Sequence, residues 1–439
     1  MRIFMKITFI GAGSTIFAKN VLGDLILTPE IGSFEIALYD IDHQRLEESC
    51  VMLQKLNNKY NGKATIHKYI NRKESFRDAN YIINAIQVGG YEPCTVWDFE
   101  IPKKYGLKQT IADTLGIGGI MRALRTIPVL DEFAKEIHEV CPDALFINYT
   151  NPMSILTGYL IEELKINAVG LCHSVQVCVK GLFETLDMMD QYIGHRSKIY
   201  GINHQSWLLD IRDKNGVDLY PEIKKRSLSG DYEEAKRWDM VRHEMMKRFG
   251  YYLTESSEHT SEYTPYFIKD KYPELIELFN VPIDEYMRRC EKQIEDWKEM
   301  KMDLVDSDDI THEKSNEYAA SIIKAITLDQ DYIIHGNVMN HGLIPNLPKT
   351  ACVEVPCIVN AKGITPQAVD PLPEQCAALN RNMINVQLMT IQAAVSKKHE
   401  DVYRAAYLDP HTASELSLDD IQNMCDELLD IEANWHQIK

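Results

Sequence analysis

The chain has 439 residues, 45 % hydrophobic and 26 % charged, which fits a globular protein and excludes a disordered one. Its 65 acidic residues against 47 basic ones leave a formal net charge of −18, which argues against nucleic acid as a partner, since phosphate binding needs a basic face. No apolar run nears the roughly 18 residues that cross a membrane, and MRIFMKITFIGAG is no signal peptide, because Lys6 and a glycine turn interrupt its apolar stretch.

A cytoplasmic location follows, with most of the ten scattered cysteines expected as buried, reduced thiols. At roughly 150 residues per domain the length suggests two or three domains. Either Met1 or Met5 fits as the start.

In chain order, Lys6–Gly11 reads as a short buried strand ending in a glycine turn, and Ser14–Leu27 as a helix. Strands are expected at Phe34–Asp40, Ala64–Tyr69, Tyr81–Gln87 and Leu145–Tyr149, with helices at Gln44–Asn61 and Ile120–Val140. This alternation predicts an α/β fold, a parallel sheet covered on both faces. After about residue 195 charged helices dominate, over Tyr232–Phe249 and Asp284–Met302; a strand follows at Val353–Val359 and one long helix over Pro373–His399. We therefore expect a Rossmann-like dinucleotide-binding domain over 1–195 and an α+β domain over 196–439.

ITFIGAGS places Gly11 and Gly13 between a strand and a helix that begins near Ser14, whose free N–H groups suit a pyrophosphate. Asp40, at the end of the second strand, suits the adenosine ribose and favours NAD over NADP. Ile16 stands at the third glycine position, and Asp40 lies beyond the usual spacing of about 20 residues.

Cys172 and His173 follow the apolar run INAVGL, and His204 follows another strand-like segment. Cys172 and His204 are either two ligands of one divalent ion, leaving positions open for substrate, or a core thiol and a hydrogen-bonded imidazole. In YTNP, Asn151 is either a ligand contact or a helix cap. In DTLGIGGIMRALR the glycines suggest close approach to a ligand, and Arg122 and Arg125 either serve the site or pair with surface acids.

Together, ITFIGAGS, ADTLGIGGIMRALRTIPVL, NYTNP, GLCHSV, GINH and VMNHGLIPNLP followed by VEVP resemble glycoside hydrolase family 4, over most of the chain. The residues Cys172-His173-Ser174-Val175 resemble the α-galactosidase branch of that family. The resemblance implies a lactate/malate dehydrogenase-like fold, NAD and a divalent metal such as Mn²⁺ as cofactors, an α-galactoside substrate and a homodimer or homotetramer. It implies Cys172 and His204 as metal ligands, and Asn151 and Arg289 (with Arg288 as competitor) as substrate contacts. Asp113 becomes the carboxylate that tunes the base, and His173 takes the position of a general acid. For the base itself the implied choice is Tyr263, then His259, within a stretch that also holds Glu258, Glu262 and Tyr266.

The implied chemistry is a redox-assisted elimination, in which the sugar is oxidised at carbon 3, loses a proton at carbon 2 and expels its leaving group at carbon 1 before water adds back. Two-carboxylate glycosidases work otherwise. Cys94, Thr95 and Val96 stand where phosphosugar-specific members carry an arginine, which fits an unphosphorylated sugar. The alternatives are another α-glycosidase of the family (α-glucuronidase, α-galacturonidase or α-glucosidase) and, less favoured, a 2-hydroxyacid dehydrogenase.

Overall fold

The computed structural model describes residues 5–228, 234–306 and 309–439. Twelve strands form one sheet: β1 (Met5–Ile10), β2 (Phe34–Tyr39), β3 (Ala64–Tyr69), β4 (Tyr81–Asn84), β5 (Leu145–Asn148), β6 (Ala168–Gly170), β7 (Arg196–Ile202), β8 (Gln205–Arg212), β9 (Tyr252–Leu253), β10 (Tyr332–Met339), β11 (Cys352–Asn360) and β12 (Gly363–Pro366). Their order is β3-β2-β1-β4-β5-β6-β10-β11-β7-β8-β9, with β12 on β11. The first six are parallel and in the doubly wound dinucleotide-binding order. From β10 onward the pairing is antiparallel.

The strand alternation sorts side chains between two cores. Ile7, Phe9, Tyr81, Ile83, Leu145 and Ile147 enter one, with helices Thr15–Ile26 and His43–Lys59. Ile10, Ile82 and Phe146 enter the other, with helices Gly116–Val140, Met153–Glu162, His399–Leu408 and Leu418–Ile431. A period of two residues on strands buried on both faces produces this division. No described helix is long and apolar enough to cross a membrane. All ten cysteines are free thiols, and all but Cys172 and Cys290 are buried.

Several boundaries differ from those expected. The fourth strand stops at Asn84 because the chain after it passes directly over the glycine turn: a Cβ on Gly11 would collide with the Ala85 carbonyl. Helix Gly116–Val140 starts a turn before Ile120, since Gly118 and Gly119 let its first turn lie on the backbone of Ala112 and Thr114. These glycines thus give close approach to the Asp113 loop, where a ligand was expected. Residues 232 and 233 of the expected Tyr232–Phe249 helix lie outside the described residues, and the rest divides into a 3-10 turn, Glu234–Asp239, and helix Met240–Phe249. The long C-terminal helix ends at Ser396, where Lys397 turns left-handed at φ 59°.

Arg125 is fully buried and pairs with acids that are buried too. It meets Asp98 at 2.6 Å and Glu432 at 3.3 Å, and its Nε donates to the Val88 carbonyl at 3.2 Å. The expected alternative of pairing with surface acids is therefore wrong for this residue. Removing one partner from such a cluster strands the remaining charges out of water. Arg125→Met should lower stability by about 3–5 kcal/mol in urea denaturation. Lys104→Met, which loses only the exposed pair with Glu427, should cost about 0–1 kcal/mol. Equal losses would show that the buried cluster is not a structural anchor.

Candidate active site

At the glycine turn, Gly11 has φ 86° and the turn is closed by Ser14 N–H donating to the Gly11 carbonyl at 3.0 Å. Ser14 is exposed, and no side chain caps the helix it precedes, so the first-turn N–H groups are free of a protein cap. This fits a pyrophosphate. Asp40 lies across the turn, accepting from the Gly13 N–H at 2.6 Å and the Asp42 N–H at 2.8 Å. A Cβ on Gly13 would stand 2.9 Å from that carboxylate, so here the glycine makes room for Asp40.

At the carboxyl ends of the parallel strands, Cys172 follows β6 directly, and Asn203-His204 form the tip of the β7–β8 hairpin, where His204 adopts φ 60°. β9 pairs with β8 and brings Glu255 beside them. Cys172, His204 and Glu255 each offer an atom within 4.8 Å of the other two. The Glu255 carboxylate lies 4.0 Å from Cys172 Sγ and 3.5 Å from His204 Nε2. The sequence expectation held two donors; the structure adds Glu255. The signal it missed was a carboxylate just past a strand, three residues before the stretch searched for a base.

The protonation of this trio suits a cation. Burial, against the pull of Glu255, brings the His204 pKa down to about 4, so the imidazole is neutral. Burial also raises the Glu255 carboxyl, but His204, His259, the Ser256 N–H and His173 outweigh it and hold it at about 2. Burial and the nearby carboxylates push the Cys172 thiol well up, so a divalent ion is what would ionise it. A sulfur, an imidazole and a carboxylate with room for further ligands make a fitting set for a catalytic divalent metal.

Around this set, Tyr263 is buried and its hydroxyl lies 3.2 Å from His204 Nδ1, the nitrogen opposite Glu255. His259 stacks edge-on against His204 at 4.5 Å and stands 3.9 Å from both Asp113 and Glu255. Asp113 is buried, and Arg122, His259, Thr114 and His204 outweigh its desolvation and keep it below the usual carboxylate range. Its oxygens accept from Thr114 Oγ1 at 2.6 Å and Asn151 Nδ2 at 3.1 Å. Asn151 therefore reaches into the site, and the helix after it begins from Pro152 without a side-chain cap. Asp113 makes no direct hydrogen bond to Tyr263; the Thr114 hydroxyl donates to Asp113 and also interacts with Tyr263.

The other acids of the base stretch are engaged. Glu262 takes the N–H groups of Thr110, Ile111 and Ala112, pinning the loop that carries Asp113. Glu258 accepts from Arg289 at 2.8 Å, and Tyr266 is exposed. Arg289 is half-exposed between Glu258 and Glu285, on the rim of the site, whereas Arg288 pairs with Glu285. His173 is exposed, its Nδ1 3.9 Å from Glu317. The structure thus brings Cys172, His204, Asp113, Asn151 and Tyr263 together and leaves His173 and Arg289 peripheral.

Residues 6–188 match the profile of family 4 glycosyl hydrolases and residues 199–412 that of the family 4 glycosyl hydrolase C-terminal domain. The chain belongs to glycoside hydrolase family 4. It is 57 % identical to an alpha-galactosidase of Bacillus subtilis, over 98 % of each chain. An alpha-galactosidase of Rhizobium meliloti is 33 % identical over 98 % of this chain and 89 % of its own. A putative glucosidase, lplD, of Bacillus subtilis superposes with a TM-score of 0.86 at 26 % identity, covering 97 % of this chain and all of its own. Malate dehydrogenase of Cryptosporidium parvum shares the fold at a TM-score of 0.54 and 13 % identity, over 90 % of this chain and all of its own.

The buried neutral imidazole contributes to the acid sensitivity of the metal-free protein. An unfolded histidine titrates near 6.5, so stability rooted in His204 is complete above that pH and lost as pH falls through about 4. The loss amounts to about 3 kcal/mol at most. The melting temperature of metal-free protein should fall over this window, and that of His204→Gln should fall less. Superimposable pH curves would rule out the assigned state of His204.

Proposed function

We propose that the chain is an NAD- and Mn²⁺-dependent α-galactosidase that hydrolyses α-galactosides such as melibiose by redox-assisted elimination and addition. The observation that carries this reading is the Cys172–His204–Glu255 set at the sheet's carboxyl end, with Tyr263 against it, in a family 4 chain 57 % identical to an alpha-galactosidase. When bound, NAD supplies a hydride acceptor for carbon 3 of the sugar, and the divalent ion supplies Lewis acidity to the sugar oxygens.

The chain's own residues do the rest. Gly11, Gly13 and Ser14 present the turn and helix start to the pyrophosphate, and Asp40 disfavours a 2′-phosphate beside it. Cys172, His204 and Glu255 hold the cation, and His204 keeps its Nδ1–H on the Tyr263 oxygen. Tyr263 removes the proton from carbon 2. A phenol is a weak base unless its own proton has somewhere to go; Thr114 offers a route to the ionised Asp113. Asn151, oriented by Asp113, contacts the sugar. Protonation of the leaving oxygen falls to His173, and Arg289 is a substrate contact.

An unphosphorylated sugar agrees with the surroundings of Cys94 and Thr95, which are buried. The cation beside them, Arg125, is consumed by Asp98 and Glu432. The same reading divides the chain near residue 195 into a cofactor-binding part and a substrate-binding and oligomerising part, working as a homodimer or homotetramer in the cytoplasm. A dehydrogenase reading has no use for the three-donor set.

Hydrolysis of 4-nitrophenyl α-galactoside should require NAD⁺, Mn²⁺ and reductant together, with no net rise at 340 nm on a non-chromogenic galactoside. Net NADH without sugar release would overturn the glycosidase. Tyr263→Phe should lower kcat by about 10²–10⁴-fold while NAD and Mn²⁺ still bind, and Thr114→Val should lower it less. Full activity in Tyr263→Phe with loss in His259→Gln would transfer the base to His259.

A further inference from the structure

The parallel and antiparallel halves of the sheet meet in a single row. Gly170 of β6 pairs with Asn337 of β10, Asn337 with Glu354 of β11, and Glu354 with Gly201 of β7. The β6–β10 and β11–β7 joints are one residue pair each, so this row is where the two halves are registered. It lies two residues before Cys172 on one side and three before His204 on the other.

Glu354 occupies the middle of the row and is fully buried. Its Oε2 accepts from Ser206 Oγ at 2.7 Å, and Ser206 is two residues past His204. Its Oε1 accepts from Asn337 Nδ2 at 3.4 Å, and the same Nδ2 reaches the Gly170 carbonyl at 3.3 Å. The Ser206 carbonyl in turn accepts from the Thr254 N–H at 3.0 Å, one residue before Glu255. All three donor-bearing segments are therefore hung on one carboxylate and its two polar neighbours. No cation among the described residues offsets Glu354, and burial, with Glu255 adding to it, raises its pKa to about 8. An apolar side chain would avoid this cost in a strand otherwise filled with valine and cysteine, so the carboxyl is retained for what it holds in place.

We infer that Glu354 is the positioning residue of the metal centre, fixing through Asn337 and Ser206 the relative placement of Cys172, His204 and Glu255. It touches neither substrate nor cofactor. The inference rests on the assignment of those three residues to the metal.

The test compares Glu354→Leu, Glu354→Gln and Ser206→Ala with the parent, by Mn²⁺ titration, by the thiolate-to-metal absorption of the Co²⁺-loaded protein and by NAD affinity. Glu354→Leu should weaken Mn²⁺ binding by about 10–100-fold, the range for losing an outer support of a metal ligand, and should shift or diminish the Co²⁺–thiolate band. NAD affinity should stay within about twofold, because the glycine turn lies at the other half of the sheet. Glu354→Gln, which keeps an acceptor for Ser206, should regain most of the metal affinity. Unchanged Mn²⁺ affinity in folded Glu354→Leu would overturn the inference, and so would a parallel loss of NAD and metal binding, which marks a general packing defect. Should Glu354→Leu not fold, Ser206→Ala decides: weaker Mn²⁺ binding with NAD binding intact supports the inference, and unchanged Mn²⁺ binding overturns it. Cys172→Ser, run alongside, separates the two levels. If it binds Mn²⁺ like the parent, the ligand assignment is wrong; if it loses the ion while Glu354→Leu does not, only the role of Glu354 is.

Discussion

The rest of this structure depends on acidic groups held out of water at one end of a sheet. Glu255, Glu354, Asp113 and the Cys172 sulfur lie in one neighbourhood, and the Arg122 guanidinium acts on Asp113. Burying carboxylates costs several kcal/mol each unless opposite charge or hydrogen bonds return it. For Asp113 the return comes from Arg122, Thr114 and Asn151. For Glu255 it comes from His204, His259, the Ser256 N–H and His173, whereas at Cys172 burial and the nearby carboxylates prevail and keep the thiol high. A divalent ion completes that electrostatic balance, and it is also the group the chemistry requires. Fold and function thus place the same demand on the site.

That demand explains the scaffolding around it. The Asp113 loop has no regular structure of its own, so it is fixed from outside: by the Glu262 carboxylate on three successive N–H groups, and by two glycines that let helix Gly116–Val140 press against it. The His204 hairpin is held by Glu354 from below and by Tyr263 from the side. Glu255 is braced by the Arg242 guanidinium, which donates to the Thr254 carbonyl at 3.1 Å and is itself paired with buried Asp239. Each functional group sits on a turn, and each turn is tied to something rigid by a buried polar contact.

What the sequence disclosed follows from how local each signal is. The six parallel strands were legible because strand, turn and helix patterns are written within about 30 residues of one another, and the ITFIGAGS turn needs only its own glycines. Cys172 and His204 were legible as strand-end residues. Glu255 was not, because it joins them through β9, a two-residue strand whose pairing with β8 no periodicity announces. The burial of Arg125 was equally hidden, since its partners Asp98 and Glu432 lie far away on both sides in the chain. The glycines at 118 and 119 carried a true signal of close backbone approach, but the sequence alone could not say that the approaching backbone was the chain's own.

The likeness to malate dehydrogenase sharpens the point about where function resides. A doubly wound sheet with a nucleotide-binding glycine turn can serve simple hydride transfer, and folds of this kind host many chemistries. Oxidising a sugar and returning the hydride in the same turnover requires something more: the oxidised intermediate must be held while a proton is removed next to the new carbonyl. That calls for a base and a positive centre at the same wall of the pocket. In the proposed assignment the antiparallel half of the sheet supplies them, delivering His204 from one hairpin and Glu255 and Tyr263 from the segment that returns along it, while the parallel half supplies Cys172 and Asp113. The row through Asn337 and Glu354 is where the two halves are set in register, so the geometry of the chemistry is decided by how the sheet was joined.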